Sequence, residues 1–180
     1  MQAVECQIPL IGFAAFSGTG KTTLLEKLLP LLVKRNLRVG MVKASHHDIE
    51  PDKPGKDSYR LRHAGALQLV LSTPHRSICY TERNPEISRK LSDQLRLLDL
   101  ERLDLVVVEG FRDEPFPKIE LHRPVRNKPL LYPNDANVIA IARDDQGYQP
   151  ERPMPVLDLN QPEQIADFIF TTILKETSHD

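Results

Sequence analysis

Ile8-Pro9-Leu10-Ile11-Gly12-Phe13-Ala14-Ala15-Phe16-Ser17-Gly18-Thr19-Gly20-Lys21-Thr22 runs from an apolar stretch through a glycine-rich turn into a leucine-spaced segment. The apolar stretch lacks clean period-two alternation, which predicts a strand buried on both faces, as in a parallel sheet. Leucines at 24, 25, 28, 29, 31 and 32 predict a helix from Lys21 to Arg35. Pro30 lies inside it and is expected to kink or stop it, because proline removes the bond to the Glu26 carbonyl and crowds that turn. The junction, Ala15 to Thr22, reads A-x-x-x-x-G-K-T, a phosphate-loop pattern with Ala in place of its first Gly. Glycines let successive backbone N–H groups turn inward around phosphate oxygens, at a helix N-terminus that favours an anion. Lys21 then reaches the β and γ phosphates, and the Thr22 hydroxyl holds Mg²⁺. The bland alternative is a strand-to-helix turn that binds nothing, but motif and context agree on a nucleoside triphosphate.

Working outward, residues 38–44 predict a second short strand and Ser45 to Lys56 a polar loop. Asp57 reads as the N-cap of a helix from Ser58 to Ala66. Leu67 to Ser72 and Ser77 to Thr81 read as two further strands. Asn84-Pro85-Glu86 has the cap, N1 proline and first-turn acid of a helix start, with Ile87, Leu91, Leu95 and Leu98 as its apolar stripe. Asp104 to Glu109 is a strongly apolar strand. Residues 118–122 alternate and read as an exposed strand or hairpin arm. Val138 to Ala142 and Pro155 to Leu159 are strands, and Gln161-Pro162-Glu163 opens the last helix. Strands alternating with helices predict an α/β fold, here a three-layer P-loop nucleoside triphosphate hydrolase fold with a mostly parallel sheet and helices on both faces. The expected organisation is a single domain over residues 1–180.

Ligands of parallel α/β sheets bind beyond the carboxyl ends of the strands, and this selects the remaining candidates. Asp104 and Glu109 lie roughly 16 Å apart along one strand, so Glu109 reaches the phosphate-loop side and is the candidate Mg²⁺ acid. Asp48 and Asp52 follow the second strand and are candidates to orient an attacking or Mg²⁺-bound water. His46 and His47 beside them resemble metal ligands but equally suit a solvated loop. Arg60, Arg62 and His63 suit either an anionic partner or a solvated helix face. After Val138 to Ala142 come Arg143-Asp144-Asp145, where guanine-reading proteins carry an acid for the base N1–H and N2–H. The usual N-K-x-D and D-x-x-G elements are absent, so Asp144 or Asp145 remains a bare candidate, and pattern alone does not choose GTP over ATP.

Composition excludes several classes. The 180 residues carry 24 Lys and Arg against 25 Asp and Glu, a formal charge of −1, unlike a protein that coats nucleic acid or anionic membrane. The charge is segregated: residues 17–63 hold ten Lys and Arg against five Asp and Glu, and 144–180 hold two against eight. A focused positive region suits one polyphosphate ligand. No apolar run reaches the ~18 residues of a membrane span, and two cysteines are too few for a disulfide scaffold. A cytoplasmic protein is expected, without nucleic-acid or membrane partners.

The blocks A-F-S-G-T-G-K-T-T-L at 15–24, V-K-A-S-H-H-D at 42–48, D-K-P-G-K-D-S-Y-R-L-R-H-A-G-A at 52–66 and D-L-V-V-V-E-G-F at 104–111 together resemble the MobB family of molybdopterin-guanine dinucleotide biosynthesis adaptors. The resemblance implies a homodimer that binds GTP with Mg²⁺, hydrolyses it weakly at most, and assists the guanylyltransferase MobA. It implies nucleotide contacts by Ser17, Gly18, Thr19, Gly20, Lys21, Thr22 and Thr23, and a site-lining role for Glu109 and the D-K-P-G-K-D-S block. Nine of the 15 prolines fall between Pro115 and Pro162. The Pro-rich excursion at 115–133 is either a stiff surface segment or a dimer arm that pairs with its twin. The competing reading is a P-loop small-molecule kinase or ATP-dependent ligase, with Asp48 or Asp52 as base and Arg60 or Arg62 clamping substrate. A scaffold with a vestigial site is a third.

Overall fold

The computed structural model describes residues 3–45, 47, 49–83, 90–145 and 147–174. They form two compact units, one from residues 1–44 and 90–180, the other from 45–89. The larger unit is built on β1 (Leu10–Ala14), β2 (Val39–Lys43), β3 (Leu105–Glu109), β4 (Lys118–His122), β5 (Val138–Arg143) and β6 (Val156–Asp158). These strands pair side by side in the order β2-β3-β1-β4-β5-β6, every neighbouring pair parallel. Registers such as Phe13 opposite Glu109 and His122 opposite Arg143 align the carboxyl ends of the strands along one edge.

The missing alternation in β1 now has a cause: both faces of the sheet are covered. Ile11 and Phe13, Leu105 and Val107, Ile119 and Leu121, and Ala140 and Ala142 form one core with Leu24, Leu25, Leu28 and Leu32 of α1 (Lys21–Lys34). Ile165 and Ala166 of α2 (Pro162–Phe168), and Ile169 in the π-helical turn Ile169–Leu174 beyond it, join that core. On the other face Leu10, Val106 and Val108 pack with Phe116 and with Leu91 and Leu95 of the short helix α3 (Leu91–Leu95). Adjacent residues of one strand point to opposite faces, so each finds an apolar partner. Gly12 sits where Phe116 presses on β1, and a Cβ there would lie 2.3 Å from the ring.

Three expectations need correction. Helix α1 runs through Pro30 instead of stopping, because Pro30 lies on the exposed face while Leu28 and Leu32 are wholly buried. Glu26 is likewise exposed, and burial of the leucine face outweighs the local cost of the missing bond. Lys118–His122 is no exposed arm: β4 lies inside the sheet, with β1 on one edge and β5 on the other. Its alternation separates the Ile119 and Leu121 core face from a charged face that is also buried, and both hydrogen-bonding edges are already taken. Lys118 pairs with Asp135 at 2.9 Å, Glu120 accepts the Leu131 and Tyr132 N–H groups at 2.8 Å each, and His122 Nε2 lies 2.8 Å from the Lys128 carbonyl. The proline-rich segment after β4 therefore folds back over that charged face, with turns at Pro124–Arg126 and Tyr132–Asn134.

The third correction belongs to the smaller unit. It contains α4 (Asp57–His63) and an antiparallel hairpin of β7 (Gln68–Thr73) and β8 (Arg76–Thr81). Lys56, not Asp57, is the N-cap residue, and Asp57 is the first-turn acid, 3.8 Å from Arg60. The helix start read at Asn84-Pro85-Glu86, with Ile87, lies outside the described residues.

Candidate functional site

Strand β1 ends at Ala14 and α1 begins at Lys21, so Ala15 to Gly20 form the loop between them. Gly18 and Gly20 take φ of 77° and 100°, conformations that a side chain strains. Thr19 is buried, and its hydroxyl donates to the Phe16 carbonyl at 2.9 Å. The N-terminus of α1 has no side-chain cap and no acid in its first turn, leaving its N–H groups for an incoming anion. Lys21 Nζ donates to the Ala15 carbonyl at 3.0 Å and is half-buried. Burial lowers its pKa; Glu109 opposes that, while the cations Lys43 and Arg112 reinforce it. A phosphate beside it would reverse the balance. Ser17, Thr22 and Thr23 are exposed or part-exposed around this loop.

Glu109 ends β3, the strand that pairs directly with β1. Its Oε2 is buried and makes no hydrogen bond, with Lys43 Nζ as ion-pair neighbour at 3.1 Å. A buried carboxylate oxygen with Lys43 as its charged neighbour is a hard donor of the kind Mg²⁺ or its water shell takes, so Glu109 and the Thr22 hydroxyl are the residues that would hold that ion. Gly110 follows with φ of 103°, and a Cβ there would come within 2.6 Å of Ala44 Cβ. Only glycine lets the chain turn there while Ala44 N–H donates to the Glu109 carbonyl at 2.8 Å.

Two arginines that the sequence reading missed stand beside the phosphate loop. Arg123 donates through Nε to the Thr19 carbonyl at 3.0 Å and through Nη1 to Asp144 Oδ2 at 2.6 Å. The Arg126 guanidinium lies 3.9 Å from where a Gly18 Cβ would be. The signal was present: reading 118–122 as an inner parallel strand puts Arg123 at its carboxyl end, on the ligand side. The structure also separates the two acids after β5. Asp145 is held by Arg143 through two bonds of 2.6 and 2.8 Å, whereas Asp144 faces Arg123 and the loop. Arg143 is itself fixed, 3.8 Å over the Tyr148 ring and 3.1 Å from His122 Nδ1. Burial, with the Tyr132 hydroxyl at 3.0 Å, pushes the Tyr148 phenol up to about 12. Between the start of α1 and the β6–α2 turn lies a cavity of about 110 Å³, lined by Gly20, Thr23, Lys27, Arg123, Leu159 and Asn160.

In the smaller unit Arg62 points inward from α4. It donates to Glu82 and Glu50 at 2.6 Å each, stands 3.8 Å from Asp52, and lies 4.4 Å over the Tyr80 ring. Asp52 Oδ2 and Arg62 Nε are buried without hydrogen bonds. Arg62 is thus no solvated clamp, and Asp52 sits within its cluster. Arg60 is exposed, and His63 stacks on Tyr59 at 3.8 Å. Of the other candidates, His47 is exposed, while His46 and Asp48 lie outside the described residues.

A parallel sheet with a G-K-T loop between its central strand and a covering helix defines a P-loop α/β protein. The chain belongs to the MobB family, described as molybdopterin guanine dinucleotide synthesis protein B, whose model matches residues 10–144. It is 46% identical over 164 residues to the molybdopterin-guanine dinucleotide biosynthesis adapter protein of Haemophilus influenzae, across 91% of this chain and 88% of that one. Identity to the Escherichia coli protein of the same name is 42% over 175 residues, covering 97% and 98%. The solved structure of Bacillus subtilis MobB matches with a TM-score of 0.70 at 21% identity, over 92% of this chain and 98% of that one, a likeness of fold.

Proposed function

We propose that this chain is a cytoplasmic, GTP-binding, homodimeric adapter in molybdopterin guanine dinucleotide biosynthesis, hydrolysing GTP weakly at most and assisting the guanylyltransferase MobA. The observation that carries it is the uncapped α1 N-terminus behind a glycine-hinged G-K-T loop, in a chain of the MobB family. Ser17 to Thr23 bind the phosphates, Lys21 compensates their charge, and Asp144 meets the base. Thr22 and Glu109 would hold Mg²⁺, which would supply charge neutralisation to the polyphosphate. Asp48 and Asp52 are the candidates to position water, and Asp52 stands 3.8 Å from Arg62 in its ion cluster.

The test is a nucleotide panel with Mg²⁺ beside a pull-down with the guanylyltransferase. Saturable, Mg²⁺-dependent GTP binding is expected. Lys21→Ala should weaken GTP by about 1.5–3 kcal/mol, the worth of a charge-assisted contact, and GDP by less. Equal affinity of Lys21→Ala and the parent chain for GTP would sink the proposal. The competing kinase or ATP-dependent ligase reading uses Asp48 or Asp52 as base and Arg60 or Arg62 as clamp; Arg62 is buried and paired with Glu50 and Glu82, which argues against it as the clamp.

A further inference from the structure

Arg123 is the point where three loops of the larger unit meet. Its Nε holds the Thr19 carbonyl of the phosphate loop, its Nη1 holds Asp144 after β5, and its Nη2 lies 3.4 Å from Asn160 Oδ1 after β6. The three acceptors leave three consequences. Thr19 is fixed within the loop whose N–H groups take phosphate. The Asp144 carboxylate, with one oxygen turned to Arg123, offers acceptors only. Asn160, with its oxygen turned to Arg123, turns its Nδ2 group away as a donor. The cavity beside them is walled by Thr23, Lys27 and Leu159 and reaches Gly20.

An acceptor-only carboxylate beside an amide donor is the complement of one purine edge. Guanine presents an acceptor at O6 and donors at N1–H and N2–H₂. Adenine presents a donor at N6 and an acceptor at N1, so the same pair would meet it with matched charges opposed. We propose that Arg123 is a positioning residue for guanine selectivity: it orients Asp144 as acceptor and Asn160 as donor, and ties both to the phosphate loop through Thr19. This replaces by tertiary contact what the absent N-K-x-D element supplies in sequence. It rests on the proposal that the chain binds a nucleoside triphosphate.

The test measures dissociation constants of GTP, ITP, ATP and XTP with Mg²⁺ by titration calorimetry, for the parent chain, Arg123→Ala, Arg123→Lys, Asp144→Asn and Lys21→Ala. The parent chain should prefer GTP over ITP and ATP by roughly tenfold, since ITP leaves Asp144 without the N2–H₂ donor and ATP sets like groups against Asp144 and Asn160. Arg123→Ala should collapse the GTP:ATP and GTP:ITP ratios toward unity, and Arg123→Lys, which keeps the charge, should restore part of the preference. Asp144→Asn should raise XTP relative to GTP by roughly tenfold or more, because Asn can donate to the added xanthine oxygen. Thermal unfolding of each variant identifies any loss of fold. GTP binding that depends on Lys21, with Arg123→Ala weakening all four nucleotides equally, overturns this inference and leaves the function standing. No binding of any nucleotide by the parent chain overturns both.

Discussion

The six-stranded unit and the 45–89 unit are held by different forces. In the first, alternate residues of β1, β3, β4 and β5 meet helices on one face, those of β1 and β3 meet Phe116 and α3 on the other, and burial is nearly complete. In the second, a two-stranded hairpin and one short helix gather around a single arginine. Leu67, Val70 and Leu71 stay 69%, 66% and 38% exposed. Two-stranded hairpins are marginal alone, so the Arg62 cluster and the Tyr80 stack do there what leucines do elsewhere. The lesson is functional as well as structural. The residues proposed to meet phosphate and base hang on the sheet of the larger unit, and the candidate acid Asp52 stands 3.8 Å from Arg62 in the ion cluster of the smaller one.

Leu28→Ala attacks the apolar side of the contrast. Leu28 is fully buried beneath α1, so its loss should cost about 2–5 kcal/mol in urea unfolding. A cost below about 1 kcal/mol would mean that the core collapses around the gap and is less tightly packed than its burial implies. Arg62→Ala attacks the ionic side and should act locally. Removing it leaves Glu50, Asp52 and Glu82 facing one another. Amide protection across residues 49–81 should fall roughly tenfold or more, while α1 amides keep theirs. Equal loss in both units would show that they unfold as one body, and the contrast would dissolve.

This contrast also explains which features the sequence disclosed. The phosphate loop was legible because its chemistry is local: strand, glycines, lysine and helix are contiguous, and each has one physical reason. Glu109 was legible from the direction of one strand. Arg123 and Asn160 were not, because their roles come from strands brought together across 37 residues of chain. The misreading of Lys118–His122 hid Arg123. Period-two alternation of charged and apolar residues normally marks a half-exposed strand. Here the charged face is buried under the proline-rich segment, with Asp135, two backbone N–H groups and the Lys128 carbonyl as partners. No single-strand pattern encodes those partners. Arg62 was misjudged for the same reason, since its three carboxylates come from either side of α4.

A smaller effect tests whether exposed ion pairs share in the stability of the sheet unit. Asp104 accepts from the Arg38 side chain at 2.7 and 3.0 Å and from its backbone N–H at 2.8 Å, which holds its carboxyl down at about 2. A carboxyl depressed in the folded chain favours folding wherever it is ionised. That contribution is present above the ordinary value near 3.8 and is lost as pH falls toward 2. Asp104→Asn should flatten this part of the stability–pH curve by removing a contribution that is present at neutral pH, a small one because the Arg38 side chain is largely exposed and that of Asp104 partly so. A large loss at neutral pH would place the pair in the frame of the sheet.

The smallest expected change in the stability of a single chain comes from Val70→Asp, and it bears on the proposed homodimer. Both edges of β4 are occupied, so an interchain arm cannot be built on that strand, and Val70 and Leu71 of the hairpin are among the exposed apolar residues that could serve instead. An exposed valine contributes little to its own fold, and its replacement by a charge should stay within about 0.5 kcal/mol. If two chains bury the hairpin against each other, the same aspartate places like charges across the interface and should shift the mass measured by light scattering from dimer to monomer. GTP affinity should be unchanged, since the phosphate loop belongs to the other unit. A Val70→Asp chain that remains dimeric would move the interface off the hairpin. A parent chain that is monomeric at all concentrations would remove the homodimer and leave the hairpin's apolar face as solvent-exposed surface.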